Sequence, residues 1–105
     1  MAVIKNVLRE ELQNSLRLEE SYEQELGKLP KGSLIRKIIK GHEYFYVVER
    51  REGKVRFTYR GKLSSDDIQK YRNARESRAK YRRLLSQVKK QIKYLRSILR
   101  GKQEI

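Results

Sequence analysis

The sequence predicts an α+β fold with an N-terminal helix, a three-stranded antiparallel β-meander and a long C-terminal helix, in a single domain of residues 1–105. Two observations support this order. Apolar residues recur at intervals of three and four before residue 27 and again after residue 63, which is the period of a helix. Between these segments, β-branched, aromatic and charged residues alternate around two X-Gly pairs, which is typical of β-hairpins.

The first helix is predicted over residues 3–26, where the apolar positions are separated by acidic residues and Gln. Gly27 suits the left-handed residue that commonly follows a helix, and Pro30 prevents the helix from continuing. We therefore expect the helix to end before Gly27 and the turn-rich segment 29–33 to lead into the sheet.

Three strands are predicted, at residues 34–40, 42–51 and 54–61. The pairs Lys40-Gly41 and Glu52-Gly53 suit two-residue hairpin turns. Such turns fix the register, so that Val48 pairs with Phe57, Glu49 with Arg56, and Tyr46 with both Tyr59 and Ile35.

This register sorts the strand residues onto two faces, because side chains alternate along a strand. The aromatic face, which we expect to form the core, collects Ile35, Ile39, Tyr44, Tyr46, Val48, Val55, Phe57 and Tyr59. The basic face collects Arg36, Glu49, Arg51, Lys54, Arg56, Thr58 and Arg60, with Leu34, Ile38, Phe45 and Val47 among them.

The second helix is predicted over residues 64–100, with Ser64 as its N-cap and Gly101 as its stop. It should pair with the first helix as an antiparallel coiled-coil-like hairpin. Its far half extends beyond what the shorter first helix is expected to cover, which predicts a homodimer through this part of the helix. The residues expected at that interface are Val88, Ile92, Leu95 and Leu99.

The chain has 27 Lys and Arg against 13 Asp and Glu, a net charge of +14, and the excess lies after residue 30. Residues 1–30 carry four bases and six acids. A surplus of this size favours a polyanionic partner, and nucleic acid is the commonest one because basic side chains release the counterions condensed on its phosphates.

The residues expected to contact nucleic acid lie on the basic face and on the second helix. Two adjacent strands carrying Arg can enter a major groove, whereas the helix lysines should touch only phosphate. We favour DNA over RNA, and duplex over single strands, because the Tyr side chains are assigned to the core. The predicted contact residues are Arg36, Arg51, Lys54, Arg56, Thr58, Arg60, Lys89, Lys90 and Lys93.

Residues suited to catalysis are few. The single His, His42, lies beside a turn glycine, the adjacent Asp66 and Asp67 are explained by their position in the first turn of a helix, and there is no Cys. We therefore expect no enzymatic activity, no metal, no cofactor and no small-molecule substrate. The early charges and the lack of a long apolar run argue against a signal peptide or a membrane span, which favours the cytoplasm, either a nucleoid or the interior of a host cell.

Short motifs between residues 29 and 62 resemble a small prokaryotic and viral family of basic proteins without an established activity. They are Pro-Lys-Gly-Ser at 30–33, the Tyr-rich stretch at 44–46 and Arg-Glu-Gly-Lys-Val at 51–55. Here the hairpin has one Gly fewer than the family pattern, and Phe45 interrupts the Tyr run. The same segment is distantly similar to the arm-type DNA-binding domains of phage and transposon integrases. That likeness implies insertion of the sheet into a major groove, although the long second helix departs from the integrase pattern.

The sequence is also compatible with a second class of function. The chain could be a protein-interaction module, either an adaptor or an inhibitor of a nucleic-acid enzyme. It would then act through its coiled-coil and basic surfaces. Its basic charge argues against mimicry of nucleic acid, since a mimic would be acidic.

Overall fold

The computed structural model describes residues 2–101. Its elements are α1 (Ala2–Lys28), β1 (Ser33–Ile39), β2 (His42–Arg51), β3 (Lys54–Gly61) and α2 (Ser65–Gly101). The predicted α+β fold and the order of its elements are confirmed. The chain divides into two compact units, one formed by α1 with the part of α2 from residue 79 onward, the other by Leu29–Arg78. The single domain expected over residues 1–105 stays a prediction.

Helix α1 was predicted to end before Gly27, but it extends to Lys28. Gly27 lies inside the helix, which ends at Lys28, so its assignment as the left-handed residue after the helix is wrong. The physical stop is Pro30, because proline disfavours the helical conformation of the residue before it. A glycine within a helix costs only about 1 kcal/mol relative to alanine, so Gly27 alone does not end one.

The three strands form one antiparallel sheet in the order β1-β2-β3. The predicted register is confirmed, with Tyr46 opposite both Ile35 and Tyr59. In the first turn Lys40 and Gly41 have φ of 50° and 80°, and the second turn repeats this pattern. Two consecutive positive φ values are the property of the type I′ turn, whose twist matches that of a hairpin.

The expectation that the aromatic face forms the core is wrong. The buried strand side chains are Phe45 and Val47, which are 4% and 6% exposed and belong to the basic face. On the aromatic face, Phe57 and Tyr59 remain 66% and 57% exposed. Ile68 at the start of α2 lines a common pocket with Phe45, so this part of the helix lies over the basic face.

Helix α2 begins as its capping chemistry predicts. The backbone N–H of Asp67 donates to Ser64 Oγ at 3.2 Å, and the N–H of Ile68 donates to the Ser64 carbonyl at 3.1 Å. Ser64 therefore satisfies a backbone donor that the first turn leaves without a helical partner. Gly101, predicted as the stop, is the last residue of the helix. No helix within residues 2–101 combines the length and apolar composition needed to cross a membrane.

The unit formed by α1 and the end of α2 is an antiparallel helix pair. Gln91 Nε2 donates to Ser15 Oγ at 2.9 Å, and Ser15 is only 1% exposed. The rings of Tyr22 and Tyr81 lie 6.1 Å apart. With these contacts, the beginning of α1 lies opposite the last turns of α2.

Within this helix pair, most of the residues expected at a homodimer interface are already buried in a single chain. Val88, Ile92 and Leu95 are each 5–6% exposed within a single chain, so they need no second subunit to cover them. The expectation that α1 is too short to cover the far half of α2 is therefore wrong. Dimerisation itself stays a prediction, now without this support.

The loop before β1 contains a glycine that the packing requires. Gly32 has φ of +93°, and a Cβ at this position would lie 2.6 Å from Cγ1 of Val47 and 3.1 Å from the Val48 carbonyl oxygen. Because Val47 is buried and β-branched, it has little freedom to move aside.

We expect Gly32→Ala to lower the free energy of unfolding by about 2–4 kcal/mol, from backbone strain and overpacking together. The matched control is Gly41→Ala, where φ is also positive at +80° but nothing lies within 4 Å. Urea unfolding should show a clearly larger loss for Gly32→Ala. Equal losses would mean that strain alone acts at both positions.

Candidate nucleic-acid interface

Four arginines converge on a pocket of about 480 Å³ within the unit Leu29–Arg78. We call it the arginine pocket, after Arg36, Arg72, Arg75 and Arg78. Helix α2 supplies three of them at three-residue intervals, a spacing that keeps them on one side of the helix, and β1 supplies Arg36. The remaining lining is Gly32, Ser33, Leu34, Phe45, Ile68 and Tyr71, so that none of the lining residues is an acid.

Two of these guanidinium groups have partners. Arg78 Nη2 donates to the Pro30 carbonyl at 2.6 Å in a partly buried contact, which ties the loop before β1 to α2. Arg36 Nη1 lies 3.5 Å from Glu43 Oε1, and both side chains are more than half exposed. An exposed ion pair of this kind contributes little to stability and is readily exchanged for another anion.

The other two guanidinium groups, on Arg72 and Arg75, have no ion pair or hydrogen bond within residues 2–101. Both side chains are exposed and line the pocket. Guanidinium groups bind carboxylate and phosphate oxygens through paired N–H donors. The arginine pocket can therefore hold an anion, and its volume of about 480 Å³ leaves room for a phosphate.

The rest of the predicted basic face lies at the end of the β2–β3 hairpin. Arg51 pairs with Lys54 and Glu49 with Arg56 in the register, so three of the predicted contact residues are brought together. Arg51 Nε lies 3.5 Å from Glu49 Oε2, whereas the side chains of Lys54 and Arg56 form no ion pair within residues 2–101.

Two further predicted contact residues, Thr58 and Arg60, lie on β3. Thr58 is exposed and pairs with Val47. Arg60 lies at an irregularity, since the register moves from Tyr46 opposite Tyr59 directly to Phe45 opposite Gly61. An extra residue in one strand interrupts the alternation at this point, so the assignment of Arg60 to the basic face stays a prediction.

The helix lysines gather as the sequence predicts. Lys89, Lys90 and Lys93 line one open pocket of about 420 Å³ with Arg82, Leu85 and Ser86. Lys89 Nζ also lies 4.0 Å from Glu23 Oε1 on α1, a long contact between two half-exposed side chains. This lysine patch is a second place where α2 presents several positive charges together.

Sequence reasoning missed three residues of the arginine pocket as site residues, namely Arg72, Arg75 and Arg78. Their three-residue spacing was a usable signal, but their convergence with Arg36 depends on tertiary packing. It also missed the aromatic face as an accessible surface. There the rings of Tyr46 and Tyr59 lie 5.3 Å apart, and Lys37 Nζ lies 5.3 Å from the centre of the Tyr46 ring.

The residues weighed for catalysis do not assemble into a site. His42, Asp66 and Asp67 are exposed. Within residues 2–101 there is no group of three His, Asp or Glu side chains that could hold a metal ion. The absence of enzymatic activity stays a prediction.

The fold and these surfaces define a small basic α+β protein with a helix–meander–helix order. The chain belongs to the family described as Domain of unknown function (DUF6788), whose sequence profile matches residues 6–70. No curated protein matches the chain, and no solved structure matches it. Because the description of the family assigns it no function, the likeness to arm-type integrase domains and the viral origin stay predictions.

Proposed function

We propose that this protein binds nucleic acid, with duplex DNA held mainly through its phosphate backbone. The observation that carries the proposal is the arginine pocket, in which two guanidinium groups have no partner within residues 2–101 and no acidic side chain is among the lining residues. Such a site matches an oxygen anion that carries at least one full negative charge. On a chain with net charge +14, a polyanion satisfies more of these groups than a small anion does.

Three basic surfaces support a ligand with repeating charge. They are the arginine pocket, the hairpin end with Lys54 and Arg56, and the lysine patch on α2. Helix contacts of this kind neutralise phosphates irrespective of sequence. Arginine at the end of a two-stranded ribbon can in addition reach base edges in a major groove. Arg56 is therefore the residue we expect to contribute sequence preference.

The test is a salt titration of binding to a labelled duplex, followed by fluorescence anisotropy. Affinity should be micromolar or tighter at moderate salt, and its logarithm should fall with the logarithm of salt by about 0.9 per phosphate neutralised. If about six phosphates are contacted, affinity should fall about 10³-fold between about 50 and 200 mM salt. Binding that does not depend on salt, or no binding at low salt, would contradict the proposal.

A protein-interaction module remains the second candidate. The observation that favours it is the exposed apolar area on the aromatic face, including Val55 at 51% and Phe57 at 66% exposure. Exposed apolar patches often mark contact surfaces. A salt-independent affinity for a protein partner, together with no affinity for DNA, would favour this candidate over the first.

A further inference from the structure

The aromatic face is an exposed platform of rings on the side of the sheet opposite the buried Phe45 and Val47. Tyr59 lies at its centre, with ring centroids 5.3 Å from Tyr46 and 6.3 Å from Tyr44. Phe57, opposite Val48 in the register, is the most exposed ring of the platform. Four aromatic side chains thus share one surface, on which Phe57 and Tyr59 are exposed and Tyr44 and Tyr46 are half-buried.

The charges on this face are of one sign. By the alternation of the strands, Lys37 lies beside Tyr44 in the register and Arg50 lies opposite Val55. None of the strand residues sharing this face is an acid, because Glu43 and Glu49 belong to the opposite face. A small pocket of about 300 Å³ combines both properties, with Ile35, Tyr46 and Phe57 as apolar lining and Lys37 as its cation.

This combination discriminates among occupants. In a duplex the flat faces of the bases are covered by neighbouring base pairs, so exposed rings have nothing to stack on. If two copies of the chain packed with these faces together, Lys37 and Arg50 of one copy would lie near Lys37 and Arg50 of the other. Such contacts between like charges are unfavourable. Unpaired bases stack on aromatic side chains, while basic groups beside the rings neutralise the connecting phosphates.

We propose that the aromatic face binds the unpaired bases of single-stranded nucleic acid, with Phe57 and Tyr59 as stacking residues and Lys37 and Arg50 at the phosphates. The inference rests on the proposed function and adds a ligand form to it. Single strands were disfavoured because the Tyr side chains were assigned to the core. Tyr59 is 57% exposed, so that reason against single strands no longer holds.

The experiment compares Phe57→Ala with Phe57→Leu on single-stranded oligo(dT), oligo(U) and a duplex of the same length. Phe57 is well exposed, so both variants should keep the fold, which circular dichroism checks. Loss of one stacked base should weaken binding to both single strands by about 5- to 100-fold, and duplex binding should stay unchanged. Leu keeps apolar area but not a ring face, so Phe57→Leu should lose most of the same affinity.

A reporter variant gives a direct readout, since the chain has no Trp. In Phe57→Trp the indole should retain single-strand binding, and its fluorescence should be quenched by oligo(dT) but not by the duplex. Sedimentation of each variant monitors self-association.

The failures of the two proposals can be told apart. If the wild-type chain binds no nucleic acid, the proposed function fails and takes this inference with it. If it binds duplex and single strands while Phe57→Ala binds both as tightly, only this inference is overturned. A Phe57→Ala variant that changes the sedimenting mass, or a Phe57→Leu variant with full single-strand affinity, would also overturn it, in favour of a second copy or an ordinary apolar contact.

Discussion

Replacing Ile92 with Asp is expected to unfold the helix pair. Ile92 is 5% exposed in a single chain, packed within the unit that α1 and the end of α2 form. Truncation of a buried Ile costs about 2–5 kcal/mol, and burial of an unpaired carboxylate adds to that cost. Since small domains unfold with about 5–15 kcal/mol, the total is comparable with the whole stability. Circular dichroism should show a large loss of helix.

The control is Tyr94→Asp, two residues further along α2. Tyr94 is 66% exposed, so this substitution should change the free energy of unfolding by no more than about 0.5 kcal/mol. Ile92→Ala, which leaves no buried charge, should remain folded and give a measurable loss in urea unfolding. An Ile92→Asp chain that stays fully helical while its sedimenting mass falls by half would contradict this prediction and restore the dimer interface.

The register of the sheet could be predicted because it depends on local chemistry. Lys40-Gly41 and Glu52-Gly53 occupy two-residue turns, and a turn of known length fixes which residues pair in the strands that follow. No tertiary information is needed for this step. The N-cap at Ser64 was predictable for the same reason, since the hydroxyl and the backbone donor are three residues apart.

The choice of the buried face could not be made in this way. Both faces of the meander carry apolar side chains, and the aromatic face carries more of them than the basic face does. Burial depends on what covers a face, and the start of α2 lies beside Phe45 on the basic face. The periodicity of Ile68, Tyr71 and Ala74 shows that α2 has an apolar side, but not which face it meets.

The arginine pocket follows from the same contact. Once the start of α2 lies over the basic face, Arg72 and Arg75 come near Arg36, which sequence reasoning had assigned to an open sheet. The sequence therefore indicates that the sheet and α2 are both basic. It does not indicate that Arg36 of the sheet and the arginines of α2 line one pocket. For the lysine patch no such contact is needed, because Lys89, Lys90 and Lys93 are neighbours on one helix.

The strongest test of the arginine pocket is the double charge reversal Arg72→Glu with Arg75→Glu. Both side chains are exposed and without a partner in residues 2–101, so the fold should be kept. Each lost charge-assisted hydrogen bond to phosphate is worth about 1.5–3 kcal/mol, so duplex affinity should fall on the order of 100-fold or more. The slope of log affinity against log salt should become shallower by about two.

The matched control is Arg9→Glu with Arg17→Glu on α1, which removes the same four units of net charge from exposed positions. Neither side chain lines the arginine pocket. If phosphate is held in that pocket, the control lowers affinity only through the general net charge and should weaken binding far less, by less than about 5-fold. Circular dichroism of both variants must match the wild type. If phosphate is held in the pocket, the loss of affinity must depend on where the charges are removed. Equal losses for the two double variants would therefore mean that net charge alone drives binding.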